Sequence, residues 1–316
     1  MPAQTAYPTA VRIVEVGPRD GLQNEAATLS TDEKVEFVER LAASGLPVVE
    51  AGAFVNPARV PQMADTAEVF GRVRRRAGTR YAALVPNIRG LERAMAAGAD
   101  EVAVFAAASE TFSRRNINQG IAESLDNYAS VCRTALDAGV PVRAYLSTAF
   151  GCPYEGPIDP GRVAALCQQL RELGVFEVAV SDTIGIAHPG QVARVLDEVV
   201  PRIGVQALAL HFHDTRGMAL ANVLAALGYG VAGFDSSAGG LGGCPFAPGA
   251  SGNLATEDLV YMLDGLGIAT AVRLGALLEA SAFIASRVDH ELPSRVYQAG
   301  RRTLHLQPEV TDAERG

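Results

Sequence analysis

Residues 177–214 read EVAVSDTIGIAHPGQVARVLDEVVPRIGVQALALHFHD, and this stretch decides the fold. A β-rich run at 177–181 precedes a helical pattern at 189–200 and a second β-rich run at 207–211. A strand–helix–strand unit of this size implies parallel strands, because the crossover returns the chain to the same edge. The alternation recurs about eight times. Further strands are expected at 11–16, 48–51, 81–84, 101–105, 142–146 and 233–236, and further helices at 31–43, 62–75, 91–97, 121–138, 160–173 and 218–229. Gly45, Gly98, Gly139 and Gly174 each stand between a helix and the next strand, where helices often end in a glycine. Eight such units in roughly 250 residues is the size of a closed (β/α)8 barrel. A doubly wound open sheet would carry GxGxxG after its first strand, but residues 17–24 read GPRDGLQN. The expected architecture is therefore α/β: a TIM barrel over 1–268, then a helical extension over 269–316 packed on it. Within the extension, 269–302 reads as one or two helices and 307–316 as a polar, frayed tail.

Composition narrows the function. The 316 residues carry a net charge of −8 and a pI near 5.2, which argues against nucleic acid and against an anionic membrane surface. Nothing is long and apolar enough to span a bilayer. The first ten residues, MPAQTAYPTA, lack a basic start, an apolar run and arginine, so a cytoplasmic enzyme is expected. Cys132 and Cys167 read as buried small hydrophobes, and the four cysteines match no zinc spacing. Lys34 is the only lysine among 27 Lys and Arg residues, and it sits in a helix start where Ser30 and Glu33 form a capping box. Schiff-base, pyridoxal phosphate and P-loop chemistry all need a lysine in the site, so none is expected.

Barrel enzymes place chemistry at the C-terminal ends of their strands. Arg19 and Asp20 follow strand one, and Glu50 ends strand two. Strand five carries Arg143 and Tyr145, strand six runs into Ser181 and Asp182, and strand seven ends in His211 and His213. Alternate residues on a strand share a side, so the two imidazoles can converge. With Asp20 they make a two-histidine, one-carboxylate set suited to Mg, Mn or Zn. Glu50 is expected to pair with Arg143 across the mouth. Asp182 is left open between a catalytic role and capping the following loop. Strand eight feeds Gly239–Asn253, a run with six glycines in fifteen residues that holds Cys244 and Asn253 and reads as a lid.

Several of these runs resemble the hydroxymethylglutaryl-CoA lyase family of metal-dependent TIM barrels. They are VGPRDGLQNE (16–25), FAAASETF (105–112), GCPYEG (151–156), SDTIG (181–185), HFHDTRGMALAN (211–222) and GLGGCPFAPGASGNLATEDLVYML (240–263). The resemblance runs from about residue 12 to 284. It implies that Asp20, His211, His213 and Asn253 hold Mg2+ or Mn2+, and that Arg19 steadies an enolate oxygen. It further implies that His211 moves protons, that Cys244 acts from the loop, and that Gln23, Glu50 and Asp182 support the site. The implied reaction is retro-Claisen cleavage of 3-hydroxy-3-methylglutaryl-CoA to acetyl-CoA and acetoacetate, with leucine degradation as one setting. Arg114 and Arg115 are carried as candidates for the CoA phosphates beside their reading as a solvated pair. Phe246 stands where the family usually has tyrosine, which keeps a larger 3-hydroxyacyl-CoA ester open as substrate. A 2-oxo-acid aldolase or Claisen synthase of the same barrel group, and an inactive scaffold, are the alternatives. A homodimer through the C-terminal helices is expected by analogy.

Overall fold

The first strand, β1 (Arg12–Glu15), is hydrogen-bonded in parallel to both the second and the last strand of the sheet, so the sheet closes. The computed structural model describes residues 7–244 and 247–305. The closed barrel runs β1, β2 (Val48–Ala53), β3 (Arg80–Leu84), β4 (Glu101–Ala107), β5 (Val142–Ser147), β6 (Glu177–Asp182), β7 (Leu208–Phe212) and β8 (Gly233–Ser236) in sequence order. All eight expected strands are present, with ends shifted by one or two residues. A buried shell of Val, Leu, Ile and Ala from the strands and the helices around them forms the core.

The helices follow their end signals. Helix α1 (Thr31–Ala43) begins at Ser30, whose hydroxyl accepts from the Glu33 N–H while Glu33 accepts from the Ser30 N–H. Lys34 is buried there against Asp65 Oδ1 (2.6 Å) and the Gln62 carbonyl (2.7 Å), a structural tie, and it is not among the residues that line the cavity described below. The pattern expected at 62–75 shortens to α2 (Thr66–Arg72), preceded by a 3-10 turn at Pro61–Met63. Next come α3 (Ile88–Ala96) and a helix the sequence pattern did not separate, α4 (Glu110–Ile117), capped by Ser109. It is only eight residues long and mostly polar, so it offers few apolar residues for a pattern to be read from. Helices α5 (Ile121–Asp137), α6 (Pro160–Glu172), α7 (Pro189–Ile203) and α8 (Ala219–Leu227) complete the alternation before α9 (Thr256–Gly265). Cys132 and Cys167 are fully buried in α5 and α6. Beyond the barrel, α10 (Leu274–Ala285) packs on α1 and α9, and α11 (Arg295–His305) packs on α9. The tail at 307–316 lies outside the described residues, as do residues 1–6.

Two local devices shape the upper mouth. After β1 the chain makes a π-helical turn over Gly17–Gly21, in which the Val16 carbonyl receives the N–H groups of Arg19 (3.1 Å), Asp20 (2.7 Å) and Gly21 (3.2 Å). A Cβ on Gly17 would stand 2.6 Å from Glu15 Oε1, so the turn needs glycine there. Between β2 and β3 the register slips between Glu50 and Gly52, a bulge that re-aims the Glu50 side chain. The run 239–253, expected as a lid, contains a short hairpin: β9 (Gly243–Cys244) pairs antiparallel with β10 (Ala247–Ser251).

Glu15 sits fully buried where β1, β8 and α9 meet. Its Oε1 accepts from the N–H groups of Gly17 (2.8 Å) and Ala238 (2.9 Å), and its Oε2 from Thr256 Oγ1 (2.7 Å). Burial pushes its pKa from 4.5 up to about 7 in spite of these donors. The folded state therefore keeps a proton that the unfolded state has released, and stability falls as pH rises through 4.5 to about 7. In Glu15→Gln the amide can keep all three contacts. On going from pH 5 to pH 8 in urea titrations, the wild type should lose about 2–3 kcal/mol more than the variant. Equal losses would show that the three donors fully replace water around the ionised carboxylate.

Candidate active site

The C-terminal ends of the strands open into a cavity of about 700 Å³. Arg19, Asp20, His211 and His213 line it together with Tyr145 and Gln23. A second opening of about 510 Å³ lies at the opposite end of the barrel, and the charged residues that line it, Arg12 and Glu177, pair with each other.

At the upper floor, β7 and the β1 turn bring three donors together. One ligand atom from each of Asp20, His211 and His213 lies within 4.8 Å of the other two. Both histidine Nε2 atoms are 4.0 Å from Asp20 Oδ2, too far for hydrogen bonds. Burial, then the neighbouring His211, pushes the His213 pKa down to about 4, so its ring is neutral at neutral pH and able to bind a cation. For Asp20, burial acts upward, but Arg19 and then the two histidines outweigh it and hold the carboxyl well below its usual range. Asn253 completes the group. The backbone bridge His213–Asn253 places it, and its Nδ2 donates to Asp20 Oδ2 (3.0 Å) and the Leu241 carbonyl (3.1 Å). Its Oδ1 is buried with no hydrogen-bond partner. An orphaned amide oxygen beside a carboxylate and two imidazoles fits a hard divalent cation, which binds such neutral oxygens well.

The other candidates fall around this group. Arg19 is 6% exposed, which leaves its guanidinium almost wholly dependent on protein partners. It donates from Nε to Glu50 Oε2 (2.5 Å) and from one Nη to Asp20 Oδ1 (2.5 Å), and lies 5.3 Å from the Tyr145 ring centre. Tyr145 in turn donates to Glu50 Oε1 (3.2 Å). Glu50 is thus a holder of Arg19, and the expected Glu50–Arg143 pair does not form. Arg143 is the second residue of β5 and sits lower in the barrel. Its Nε donates to Glu177 Oε2 (2.7 Å) and its two Nη atoms to Asp235 (2.7 and 3.2 Å). Asp235 then meets His211 Nδ1 at 3.3 Å, leaving Nε2 for the cavity. Sequence reading missed Asp235. It lies near the end of β8, but only the register of β8 against β7 pairs it with His211, which the sequence does not show.

Asp182 is buried, with Oδ1 accepting from the Ile186 N–H (3.0 Å) and Oδ2 from the Ala187 N–H (2.9 Å). The structure places it as the cap of the β6 loop, and burial lifts its pKa to about 6. Arg114 pairs with Glu110 (2.8 Å) and Arg115 covers the Tyr154 ring (4.2 Å), both exposed on α4. It is Phe112, Asn116 and Ile117 of that helix that face the cavity. Cys244 is on β9, paired with Ala247; its side chain and Phe246 lie outside the described residues.

Comparison with known proteins agrees with the barrel fold. The family described as HMGL-like matches residues 10–284. The chain is 52% identical to the mitochondrial hydroxymethylglutaryl-CoA lyase of Bos taurus, over 93% of this chain and 90% of that protein. It is 50% identical to the cytoplasmic 3-hydroxy-3-methylglutaryl-CoA lyase of Rattus norvegicus, over 94% of this chain and 88% of that one. The crystal structure of hydroxymethylglutaryl-CoA lyase from Pseudomonas aeruginosa superposes with a TM-score of 0.92 at 48% identity, covering 94% of this chain and 99% of that chain. With a closed barrel, a metal-ready group at its mouth and identity of this extent, the chain belongs to the hydroxymethylglutaryl-CoA lyase family.

Proposed function

We propose that this protein is a divalent-metal-dependent carbon–carbon lyase that cleaves 3-hydroxy-3-methylglutaryl-CoA to acetyl-CoA and acetoacetate. One observation carries the reading: Asp20, His211, His213 and the unpartnered Asn253 Oδ1 converge beside a buried, doubly anchored Arg19. Asp20, His211, His213 and Asn253 would hold the ion. Bound there, a divalent cation supplies Lewis acidity that lowers the pKa of the substrate's tertiary hydroxyl.

The side chains account for the remaining steps. The hydroxyl proton passes to a base, for which His211 is the candidate; with Nδ1–H held by Asp235 only its Nε2 can accept the proton, so His211 would give up its place in the ligand set for that step. The C2–C3 bond then breaks, its electron pair going to C2, and the carbinol carbon becomes the ketone of acetoacetate. Charge develops on the thioester oxygen. Arg19 meets that charge with a guanidinium whose Nε and one Nη are already fixed by Glu50 and Asp20, so little reorganisation is needed as the charge forms. Protonation of C2 yields acetyl-CoA, and Cys244 is the candidate donor from its place on β9. Gln23 lines the cavity beside Arg19 as a supporting contact. Magnesium or manganese as the ion, a cytoplasmic location, a role in leucine degradation and a homodimer joined through α10 and α11 belong to the same proposal. The mixed oxygen and imidazole donor set supports the first of these.

Two measurements test this reading. Purified protein should release acetoacetate from 3-hydroxy-3-methylglutaryl-CoA with added Mg2+ or Mn2+, stop in EDTA, and show no turnover as His211→Ala. Metal binding without turnover would keep the site and reject this substrate in favour of larger acyl-CoA esters or 2-oxo acids. Arg19→Met should lower kcat by about 10²–10³-fold, as the loss of one fixed charge-stabilising donor does, with a much smaller change in KM. A change confined to KM would assign Arg19 to substrate binding alone.

A further inference from the structure

The glycine turn after β8 is held from outside the barrel as well as from within. The segment between α10 and α11, residues 286–294, lies against it. The Leu292 side chain occupies the space a Cβ on Gly239 would take (2.4 Å away), and Pro293 does the same at Gly240 (2.8 Å). The Ser294 N–H donates to the Gly239 carbonyl (3.2 Å). One step further along the turn, the Gly242 N–H donates to Glu25 Oε1 (3.2 Å), and the other oxygen of that carboxylate accepts from His290 Nε2 (2.8 Å). His290 Nδ1 faces the Glu291 carbonyl at 3.1 Å.

Glu25 is buried and lies five residues beyond Asp20 on the loop that also carries Arg19. Its own carbonyl accepts from Gln62 Nε2 (3.0 Å), which fixes its backbone. One carboxylate therefore joins the β1 loop, the glycine turn and the C-terminal segment. The turn it grips is directly attached to the metal-ready group: Asn253 Nδ2 donates to the Leu241 carbonyl, and the Gly252 N–H donates to the Gly242 carbonyl (2.9 Å). Gly243 and Cys244 follow at once as β9. The His290 side chain is 43% exposed, so its pairing with Glu25 contributes little to global stability, and its effect is local orientation.

We propose that His290 and Glu25 are positioning residues: the His290–Glu25–Gly242 relay sets the Leu241–Gly242 turn, and through it Asn253 and the strand that carries Cys244. The C-terminal segment is then a working part of the site. The proposal deepens the metal-lyase reading above and rests on it.

The test compares wild type with His290→Leu, which ends the relay, and His290→Gln, whose amide N–H can still donate to Glu25. Mn2+ affinity is read by electron paramagnetic resonance without substrate, and steady-state cleavage of 3-hydroxy-3-methylglutaryl-CoA is read separately. His290→Leu should weaken Mn2+ binding by several-fold, up to about tenfold, below the range for groups that bond a metal ligand directly because Glu25 and the Leu241–Gly242 turn stand between, and lower kcat at saturating metal. Its KM for the substrate and its thermal unfolding midpoint should stay near those of wild type, and His290→Gln should restore both Mn2+ affinity and kcat. If His290→Leu binds Mn2+ and turns over like wild type, or if both variants lose equally, the relay is overturned. If wild type itself binds no Mn2+ and cleaves nothing, the lyase reading falls and this inference falls with it.

Discussion

The Arg143 guanidinium, 1% exposed inside the barrel, is the interaction on which the site depends. It is held between Glu177 on β6 and Asp235 on β8, from β5 across the barrel axis. A buried cation without partners would cost several kcal/mol, and so would either carboxylate alone. Each charge is tolerated because the other two are there. Burial alone would push the Asp235 carboxyl upward, but Arg143 and then His211 hold it down at about 2. Asp235 is therefore an anion at any working pH, and the anion fixes His211 with Nδ1–H toward it and Nε2 toward the cavity. The ligand geometry at the mouth thus begins two residues deep in the barrel.

The same logic extends in both directions. Below, Arg12 pairs with Glu177; above, His211 and His213 face Asp20, which pairs with Arg19, which pairs with Glu50. Acidic and basic side chains alternate along this path from the lower mouth to the upper. Barrels of this kind usually fill their interior with layers of branched apolar side chains. Here part of that interior is a polar column, and each member positions the next. Tyr145 packs into the column as a spacer, lying 5.3 Å from the Arg19 guanidinium, 5.1 Å from that of Arg143 and edge-on to His211.

This column explains which parts of the site were legible in the sequence. Strand ends are legible because β-rich runs stop at Gly, Pro and polar clusters, so Asp20, Glu50, His211 and His213 could be placed at the mouth. Height within the barrel is not legible, because it depends on the stagger between neighbouring strands and on bulges. Arg143 and Glu50 both read as mouth residues, yet β5 sets Arg143 opposite Glu177 of β6, while the slip at Glu50–Gly52 turns Glu50 toward Arg19. Asp235 was invisible for the same reason: only the register of β7 against β8 brings it to His211. The π-helical turn at Gly17–Gly21 was hidden by its five-residue length, although the closeness of both glycines to neighbouring side chains accounts for the GPRDG spelling.

The glycine-rich run after β8 reads in sequence as a lid, and its first half is held on several sides. Three acidic side chains accept backbone N–H groups at its start and just before it: Glu15 at Ala238, Glu257 at Gly239 and Glu25 at Gly242. Glycine serves here by letting other atoms come close. A side chain at Gly239 would meet Leu292, at Gly240 Pro293, and at Gly242 the Asn253 amide. Glu15 and Glu257 are both buried, and burial lifts both to about 7, so holding them ionised at neutral pH costs stability that a looser turn would not demand. That cost falls on the side of the loop from which Asn253 reaches the metal-ready group, where an error of an ångström would matter most. The turn is fixed mainly by its backbone bonds to acidic side chains outside the ligand set, and Asn253, which spends its Nδ2 on the Leu241 carbonyl and on Asp20, keeps its Oδ1 unpartnered.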